Sequence, residues 1–306
     1  MKARFISTIL FSVSLLLGSC SGEKENPGGS PVDEPYQMDI MQFNIRYNAD
    51  TDTGDTHWSI RKNAIKSMFD DRLPDVAGLN EARTTQRNDL KKLLPAYTML
   101  EVPNTGTSAG GNVTMVYRTD KFNLLGSQSF YLSATPNKPS FTWDSTQKQY
   151  HVCLWGHFQD KKTLREFYVF ATHYNLGTTT EDIQARINST NLILSRIESI
   201  TAENPDAPVY VVGDMNASLA VGDSRVAGIR GYLDAGFKNA RESALSTDSV
   251  ISYNGFSSEP RTEKSNIDFI FYKNVTALSF KTITEKYNGV TFISDHYPVT
   301  VQAITF

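Results

Sequence analysis

The chain is poor in cysteine and histidine, and this scarcity limits the crosslinks and metal sites it can form. Its cysteines are Cys20 and Cys153, and its five histidines are scattered along the sequence. No cluster of these residues has the spacing of a closed zinc site, which argues against structural zinc. Cys153 lies in the apolar stretch Val152-Cys153-Leu154-Trp155, so we expect it to be a small buried hydrophobic residue.

Long runs of lysine and arginine are also absent. The net charge is −3, whereas proteins that grip duplex DNA usually present a basic surface. This slightly acidic net charge argues against a nuclease that works on long DNA. The chain also lacks the G-x-S-x-G turn of many serine hydrolases. Ser294, Asp295 and His296 are consecutive, so in a strand their side chains would point to alternate faces and could not form a relay.

The N-terminal residues have the pattern of a secretory signal. Lys2 and Arg4 precede an apolar run at residues 5–17, which is shorter than the roughly 20 residues that span a bilayer. Leu17-Gly18-Ser19-Cys20 is similar to a bacterial lipoprotein cleavage box, which implies removal of residues 1–19 and lipidation of Cys20. We therefore expect an exported protein, anchored by lipid to the periplasmic or surface face of the bacterial outer membrane. A buried N-terminal helix is the alternative.

After Cys20 the composition changes to that of a linker. Residues 21–35 contain three prolines, three glycines and one large apolar residue, Val32. This composition predicts a flexible tether over residues 20–35, and the remainder, 36–306, reads as one domain.

Strand and helix patterns interleave within residues 36–306. Apolar runs and period-two alternation predict strands at 41–47, 76–79, 112–118, 149–158, 166–172, 209–212, 267–272 and 298–304. Helical spacing of apolar residues predicts helices at 58–71, around 90–94 and at 180–200. Because strands outnumber helices, an α/β fold with a pair of packed sheets and outer helices is favoured over a single sheet.

Polar residues occur where several of these apolar runs stop. They are Asn44, Glu81, His173, Asp214 with Asn216, Asp268, and Asp295 with His296. Strand ends often deliver catalytic groups to a shared cleft. Each position also has a structural interpretation, for example a helix cap at Glu81 or a turn at Asp214. Asp268 is harder to explain in that way, because it interrupts an apolar strand and a buried carboxylate needs a partner, for which His296 is a candidate.

Taken in order, these segments resemble the endonuclease/exonuclease/phosphatase family. They are Asn44, then GLNE at 78–81, TH at 172–173, GDMN at 213–216, NIDFIF at 266–271 and SDHYPV at 294–299. The resemblance implies a deoxyribonuclease-like fold, an α/β four-layer sandwich of two packed, mainly antiparallel β-sheets with helices on both outer faces. The chain departs from the family at Asn80, where glutamine is typical, at Asn175 and Leu176, and at Asn266.

The same resemblance implies a role for each of these residues. Mg²⁺, or alternatively Mn²⁺, would be held by Glu81, Asn44 and Asp295, since magnesium prefers oxygen ligands. Asp214 would activate the attacking water, and Asn216 would hold that water and the phosphate. Asp268 would orient His296, while His296 and His173 would stabilise the phosphoryl group. Arg118 and Arg186 are further substrate-binding candidates, each with a structural alternative.

We therefore predict an enzyme, a metal-dependent hydrolase that cleaves a phosphate monoester or diester. The acidic charge and the expected anchor favour a phosphorylated small molecule or lipid head group over nucleic acid as substrate. A nuclease acting on extracellular nucleic acid and a non-catalytic binding lipoprotein of the same fold are the alternatives, because a fold does not fix a substrate. We infer no protein partner and expect a monomer.

Overall fold

The computed structural model describes residues 35–102 and 113–305. The expected signal peptide at 1–19, Cys20 and the tether up to residue 34 lie outside the described residues. The described residues belong to one compact unit, Glu34–Phe306. Among them, no helix has both the length and the apolar character needed to cross a membrane.

The described strands form two six-stranded sheets. In chain order the strands are β1 (Tyr36–Asn44), β2 (Val76–Asn80), β3 (Tyr97–Glu101), β4 (Thr114–Arg118), β5 (Phe122–Tyr131), β6 (Val152–Asp160), β7 (Glu166–His173), β8 (Val209–Asp214), β9 (Lys238–Asn239), β10 (Asp268–Lys273), β11 (Thr276–Thr282) and β12 (Val299–Thr305). The first sheet has the order β11-β12-β1-β2-β4-β3, and the second has the order β5-β6-β7-β8-β10-β9. In each sheet only the central pair is parallel, β1 with β2 and β7 with β8.

The two sheets pack face to face over an apolar core. Met38, Ile40 and Met115 from the first sheet meet Val169 and Val212 from the second, and all five are almost fully buried. Gly78 is required at this contact, because a Cβ there would lie 2.5 Å from Cγ2 of Val212. Burial of this apolar face stabilises the sandwich by removing its surface from water.

Helices cover the outer face of each sheet. They are α1 (Trp58–Arg72), α2 (Thr84–Leu93), α3 (Thr180–Ile200), α4 (Ala227–Asp234) and the short α5 (Ala240–Ser243). Ile65 and Phe69 of α1 pack on Phe43 of the first sheet, while Ile193 of α3 packs in a cluster with Phe170 of the second. The predicted four-layer α/β sandwich of mainly antiparallel sheets is confirmed.

Strand β1 differs from its predicted span. It begins at Tyr36 and ends at Asn44, whereas the alternating pattern predicted a strand to residue 47. The ladder stops because Arg46 adopts a left-handed backbone conformation, with φ of 56°. The chain therefore leaves the sheet directly after Asn44, and the next residues form a wall of the cleft described below.

Candidate active site

The topology brings the polar strand ends to one edge of the sandwich. Asn44 and Asn80 are register partners at the carboxyl ends of the parallel strands β1 and β2, and His173 and Asp214 are partners on β7 and β8. Asp268 faces Asp214 because β10 runs antiparallel to β8 and begins at this edge. Carboxyl ends of parallel strands commonly carry ligand sites, and here both sheets contribute to a single cleft of about 890 Å³.

Asp214 lies at the centre of the site, between two imidazoles. Its Oδ2 atom is 3.6 Å from Nε2 of His173 and 3.7 Å from Nε2 of His296. The side chain of Asn44, on the opposite sheet, donates a 3.0 Å hydrogen bond to the same oxygen. Burial and the negative charge of Asp268 raise the pKa of Asp214, although both imidazoles act in the other direction. A carboxylate with a raised pKa is a stronger base toward a water molecule.

The prediction that Asp268 would partner His296 agrees with the geometry. Oδ2 of Asp268 accepts a 2.7 Å hydrogen bond from Nδ1 of His296, and both side chains are buried. Burial opposes protonation of His296, but the charge of Asp268 and this hydrogen bond raise the pKa of the imidazole well above its usual value. His296 is therefore held as an imidazolium whose Nε2–H points toward Asp214 and the cleft.

Asn216 connects Asp214 to His173. Its backbone N–H donates to Oδ1 of Asp214 at 2.9 Å, and its side-chain nitrogen lies 3.1 Å from Nε2 of His173. The same nitrogen donates to the carbonyl of Tyr174 at 2.7 Å, which fixes the amide. Gly213 is required before this turn, because a Cβ there would lie 2.3 Å from the carbonyl oxygen of Thr172.

Two residues of the site adopt a left-handed backbone conformation that residues other than glycine rarely adopt. Glu81 has φ of 63° and Asn216 has φ of 46°. Such conformations cost on the order of 1–3 kcal/mol and persist where the surrounding structure imposes them, often at functional sites. The turns after β2 and β8 thus orient the side chains that follow these strands.

Glu81 and Asp295 line the cleft from the side of the first sheet. The carboxylate of Glu81 accepts from the side chain of Asn44 at 3.1 Å and from the N–H of Tyr47 at 3.0 Å. Burial acts to raise the pKa of Glu81, but the charge of His173 and these hydrogen bonds outweigh it and lower the pKa. Burial raises the pKa of Asp295 despite the nearby charge of His296.

This pair of carboxylates fits a hard divalent cation. Glu81 and Asp295 offer only oxygen atoms, and their mutual repulsion would be relieved by a cation between them. Mg²⁺ binds through one or two carboxylates and keeps several of its waters, which a cleft of this size admits. Asp214, Asp268 and His296 also bring ligand atoms within 4.8 Å of one another. In that group, however, the imidazole of His296 is already hydrogen-bonded to Asp268, and it is therefore better suited to transferring a proton than to binding a metal.

Asn44, which was expected to be a metal ligand, is fully buried beside Glu81 and is not among the residues that line the cleft. Its amide oxygen accepts from the backbone N–H of Arg46 at 3.0 Å, and its amide nitrogen bonds both Glu81 and Asp214. Asn44 therefore positions two carboxylates, one on each sheet.

A buried polar bridge below the cleft fixes the two sheets relative to each other. The side-chain nitrogen of Gln42 donates to Asn80 at 2.7 Å and to Asp268 at 3.2 Å. Asn80 donates to the carbonyl of Thr172 at 2.9 Å and accepts from the N–H of Asp214 at 2.8 Å. Asn80, where glutamine was expected from the family resemblance, is thus a link from β2 to β7 and β8, since each of its amide atoms is satisfied across the interface.

The two arginines considered for substrate binding lie outside the cleft. Arg118 is at the far end of β4, where it pairs with Asp120. Arg186 is fully buried in α3 and donates to the carbonyls of Asn175 and Gly177 at 2.7 and 2.8 Å. The structural interpretation applies to both: Arg118 is an ion-paired surface residue, and Arg186 secures the loop after β7.

Sequence reasoning missed most of the cleft wall. The additional lining residues are Tyr47, Arg83, Gln147, Gln149, Tyr150, His151, Tyr174, Leu176, Arg225, Tyr253, Lys264, Ser265 and Ile267. Most belong to loops without periodicity, so no pattern distinguishes them from other surface polar residues. His151 and Tyr253 are exceptions, because each lies beside a sequence pattern that could have marked it as a candidate. His151 immediately precedes the apolar strand β6, and Tyr253 begins the segment Tyr-Asn-Gly-Phe.

The comparisons with known proteins agree with this geometry. The sequence matches the Endonuclease/Exonuclease/phosphatase family over residues 41–296. Because the match spans most of the chain, the protein belongs to this family and is a hydrolase of phosphoric esters. No protein of curated function matches the chain by sequence.

Several solved structures share the fold. A family protein from Bacteroides thetaiotaomicron is 27% identical with a TM-score of 0.79, covering 89% of this chain and 96% of its own. A mannosyl-6-phosphatase from Bacteroides thetaiotaomicron is 27% identical with a TM-score of 0.77, covering 88% of this chain and 100% of its own. TDP2 from D. rerio, complexed with a single-strand DNA product, is 20% identical with a TM-score of 0.65, covering 87% and 98%. At that identity the likeness to TDP2 concerns the fold alone.

Proposed function

We propose that this protein is a Mg²⁺-dependent phosphoesterase that hydrolyses small phosphate esters by direct attack of water. The observation that carries the proposal is Asp214, a buried carboxylate 3.6 and 3.7 Å from two imidazole nitrogens at the floor of an open cleft. A base beside two groups able to donate to phosphoryl oxygens is the arrangement that in-line hydrolysis requires.

Each residue has a role that follows from its chemistry. Asp214 accepts a proton from the attacking water, and Asn216 orients that water and the phosphate. His296, held as a cation by Asp268, donates from Nε2 to a phosphoryl oxygen, and His173 contacts the phosphoryl group from the other side of Asp214. No side-chain nucleophile is needed.

Glu81 and Asp295 are the residues that would hold the metal. Bound Mg²⁺ would supply positive charge to the phosphoryl oxygens where negative charge develops. The donor set supports this assignment, because both carboxylates line the cleft and Mg²⁺ accepts such oxygen ligands. Mn²⁺ has similar ligand preferences and is the expected substitute.

A small phosphorylated molecule is the favoured substrate class. The net charge of −3 offers no general attraction for a polyanion. The mannosyl-6-phosphatase, 27% identical over nearly the same length, is by name a phosphatase of a phosphorylated sugar. We infer that this chain prefers phosphate monoesters of small alcohols to diesters and nucleic acids, and that it acts as a monomer.

Hydrolysis of p-nitrophenyl phosphate and bis-p-nitrophenyl phosphate, with Mg²⁺ and with EDTA, tests the proposal. EDTA-sensitive turnover with the monoester faster is expected, and Asp214→Asn should lower kcat by about 10³-fold. Asp75→Asn is the matched control, because Asp75 is another buried carboxylate but pairs with Lys121 away from the cleft. Turnover that is insensitive to EDTA, or an active Asp214→Asn enzyme, would contradict the mechanism.

We also propose that lipidated Cys20 holds the enzyme at the outer membrane of a bacterial cell. The pattern of residues 1–20 supports this, with a positive start, a short apolar run and Leu-Gly-Ser-Cys. Cys20→Ser should move the protein from the membrane fraction to the soluble fraction after expression in a bacterium that processes lipoproteins. A variant that still sediments with membranes would refute the anchor.

A further inference from the structure

One wall of the cleft is lined by uncharged side chains. Gln147, Gln149, Tyr150 and His151 line it, while Lys148 between them does not, and Arg83, Arg225 and Lys264 line the cleft from other segments. Uncharged amide and imidazole groups recognise hydroxyl groups better than they recognise phosphate, because they add no net positive charge to the site.

His151 is the most constrained member of this wall. It is only 5% exposed, and its Nδ1 lies 2.8 Å from the carbonyl oxygen of His173. A carbonyl oxygen can only accept, so Nδ1 carries the hydrogen. Burial, aided by the nearby charge of His173, lowers the pKa of His151 to about 3, so the ring is neutral near pH 7. In a neutral ring with hydrogen on Nδ1, Nε2 is a hydrogen-bond acceptor.

Nε2 of His151 has no hydrogen-bond partner among the described residues. A buried acceptor without a partner destabilises the folded state and calls for an explanation. Phosphoryl oxygens cannot provide the partner, since a phosphate dianion offers acceptors and no donor. The group that completes this site has to donate a hydrogen, as a water molecule or an alcohol hydroxyl does.

We propose that His151 is a specificity-determining residue whose Nε2 accepts a hydrogen bond from a hydroxyl group of the leaving alcohol. This inference rests on the proposed phosphoesterase function and deepens it. The backbone of His173 holds His151, while the side chain of His173 contacts Asp214. His151 therefore lies beside His173, with ring centroids 5.8 Å apart, on the uncharged wall that would face the alcohol. The substrate class is then a phosphate monoester of a polyhydroxylated alcohol, such as a sugar phosphate.

The test compares two six-carbon monoesters that differ in hydroxyl content, mannose 6-phosphate and n-hexyl phosphate. The measured quantity is the ratio of their kcat/KM values in the Mg²⁺-loaded enzyme. The wild-type enzyme should favour mannose 6-phosphate at least tenfold. In His151→Asn, the amide nitrogen can still donate to the carbonyl of His173, but the acceptor at the Nε2 position is lost. The ratio should then fall about fivefold to tenfold, the size of one hydrogen bond.

His157→Asn is the matched control, because His157 lies on β6, pairs with Glu166 of β7 and does not line the cleft. Its ratio should equal that of the wild type. A wild-type ratio near one, or an unchanged ratio in His151→Asn, would overturn the inference while leaving the proposed function intact. An equal loss on both esters would also overturn it, since it would indicate that His151 acts only through the position of His173. EDTA-insensitive hydrolysis, or none of either ester, would reject the proposed function and the inference with it.

Discussion

Asp268 and His296 are 28 positions apart in the sequence, yet they share a 2.7 Å hydrogen bond in which both side chains are buried. The bond joins β10 of the second sheet to the loop that precedes β12 of the first. The imidazole therefore lies next to one sheet and its carboxylate partner belongs to the other, so the relative position of the sheets sets the protonation of His296.

Replacing Asp268 with asparagine should test this relationship. The amide can still accept from Nδ1 of His296, but without a negative charge it stabilises the imidazolium less well. We expect kcat to fall about 10²-fold or more and the pKa of His296, measured by NMR of its ring, to fall as well. A kcat within threefold of the wild type would show that the charge of Asp268 is not needed.

Glu81→Gln should weaken metal binding, because Mg²⁺ would lose a charged oxygen ligand. The Mg²⁺ concentration for half-maximal activity should rise at least about tenfold, and the rise in Tm that Mg²⁺ causes in the wild type should shrink. Glu101→Gln is the control, since Glu101 pairs with Arg87 and Lys91 and does not line the cleft. Equal Mg²⁺-induced stabilisation in both variants would remove Glu81 from the metal site.

Arg61→Met should destabilise the fold. Arg61 is fully buried in α1, where it donates to the carbonyls of Thr56 at 2.6 Å and Ile45 at 2.7 Å, and also to Ile293. Removing it leaves these acceptors unpaired, so the free energy of unfolding should fall by about 3–5 kcal/mol in urea titrations.

Arg72→Met provides the comparison for Arg61, because Arg72 belongs to the same helix but is only partly buried, where it pairs with the exposed Glu285 and donates to the Tyr287 hydroxyl. Replacing Arg72 should lower the free energy of unfolding by about 1 kcal/mol or less. Similar losses in the two variants would mean that the buried hydrogen bonds of Arg61 contribute no more than a surface pair.

Asp223 should contribute stability that depends on pH. Burial opposes its ionisation, but hydrogen bonds from Arg225 and Ser218 lower the pKa of Asp223 from 3.8 to about 2. Because the folded pKa is below the unfolded one, the contribution is complete above about pH 4 and is lost as the pH falls through about 2. Asp223→Asn should cost about 2 kcal/mol at pH 7, and its unfolding free energy should converge with that of the wild type near pH 2. A cost that is constant from pH 7 to pH 2 would contradict this linkage.

The strands that sequence patterns failed to predict occupy one kind of position. They are β3, β5, β9 and β11, which are the edge strands of the two described sheets. β3 is only partly buried along its whole length, and β5 alternates between partly buried and exposed positions in its middle. Edge strands carry fewer apolar side chains because one side lacks a neighbour, so the signal on which strand prediction depends is weak there. Each interior strand of the described sheets was predicted, although the bounds of β1 differ from the predicted span.

The sequence by itself determined the family, the order of the core strands and the acidic and imidazole residues at their ends, because burial leaves a periodic apolar pattern and a polar interruption is conspicuous within it. The tertiary structure alone decided which of those residues reach the cleft. It buries Asn44 beside Glu81, places Arg118 and Arg186 outside the cleft, and brings His151 into the cleft lining. The physical reason is that the cleft forms where two sheets and several aperiodic loops converge, and contacts between residues far apart in the chain leave no local pattern to read.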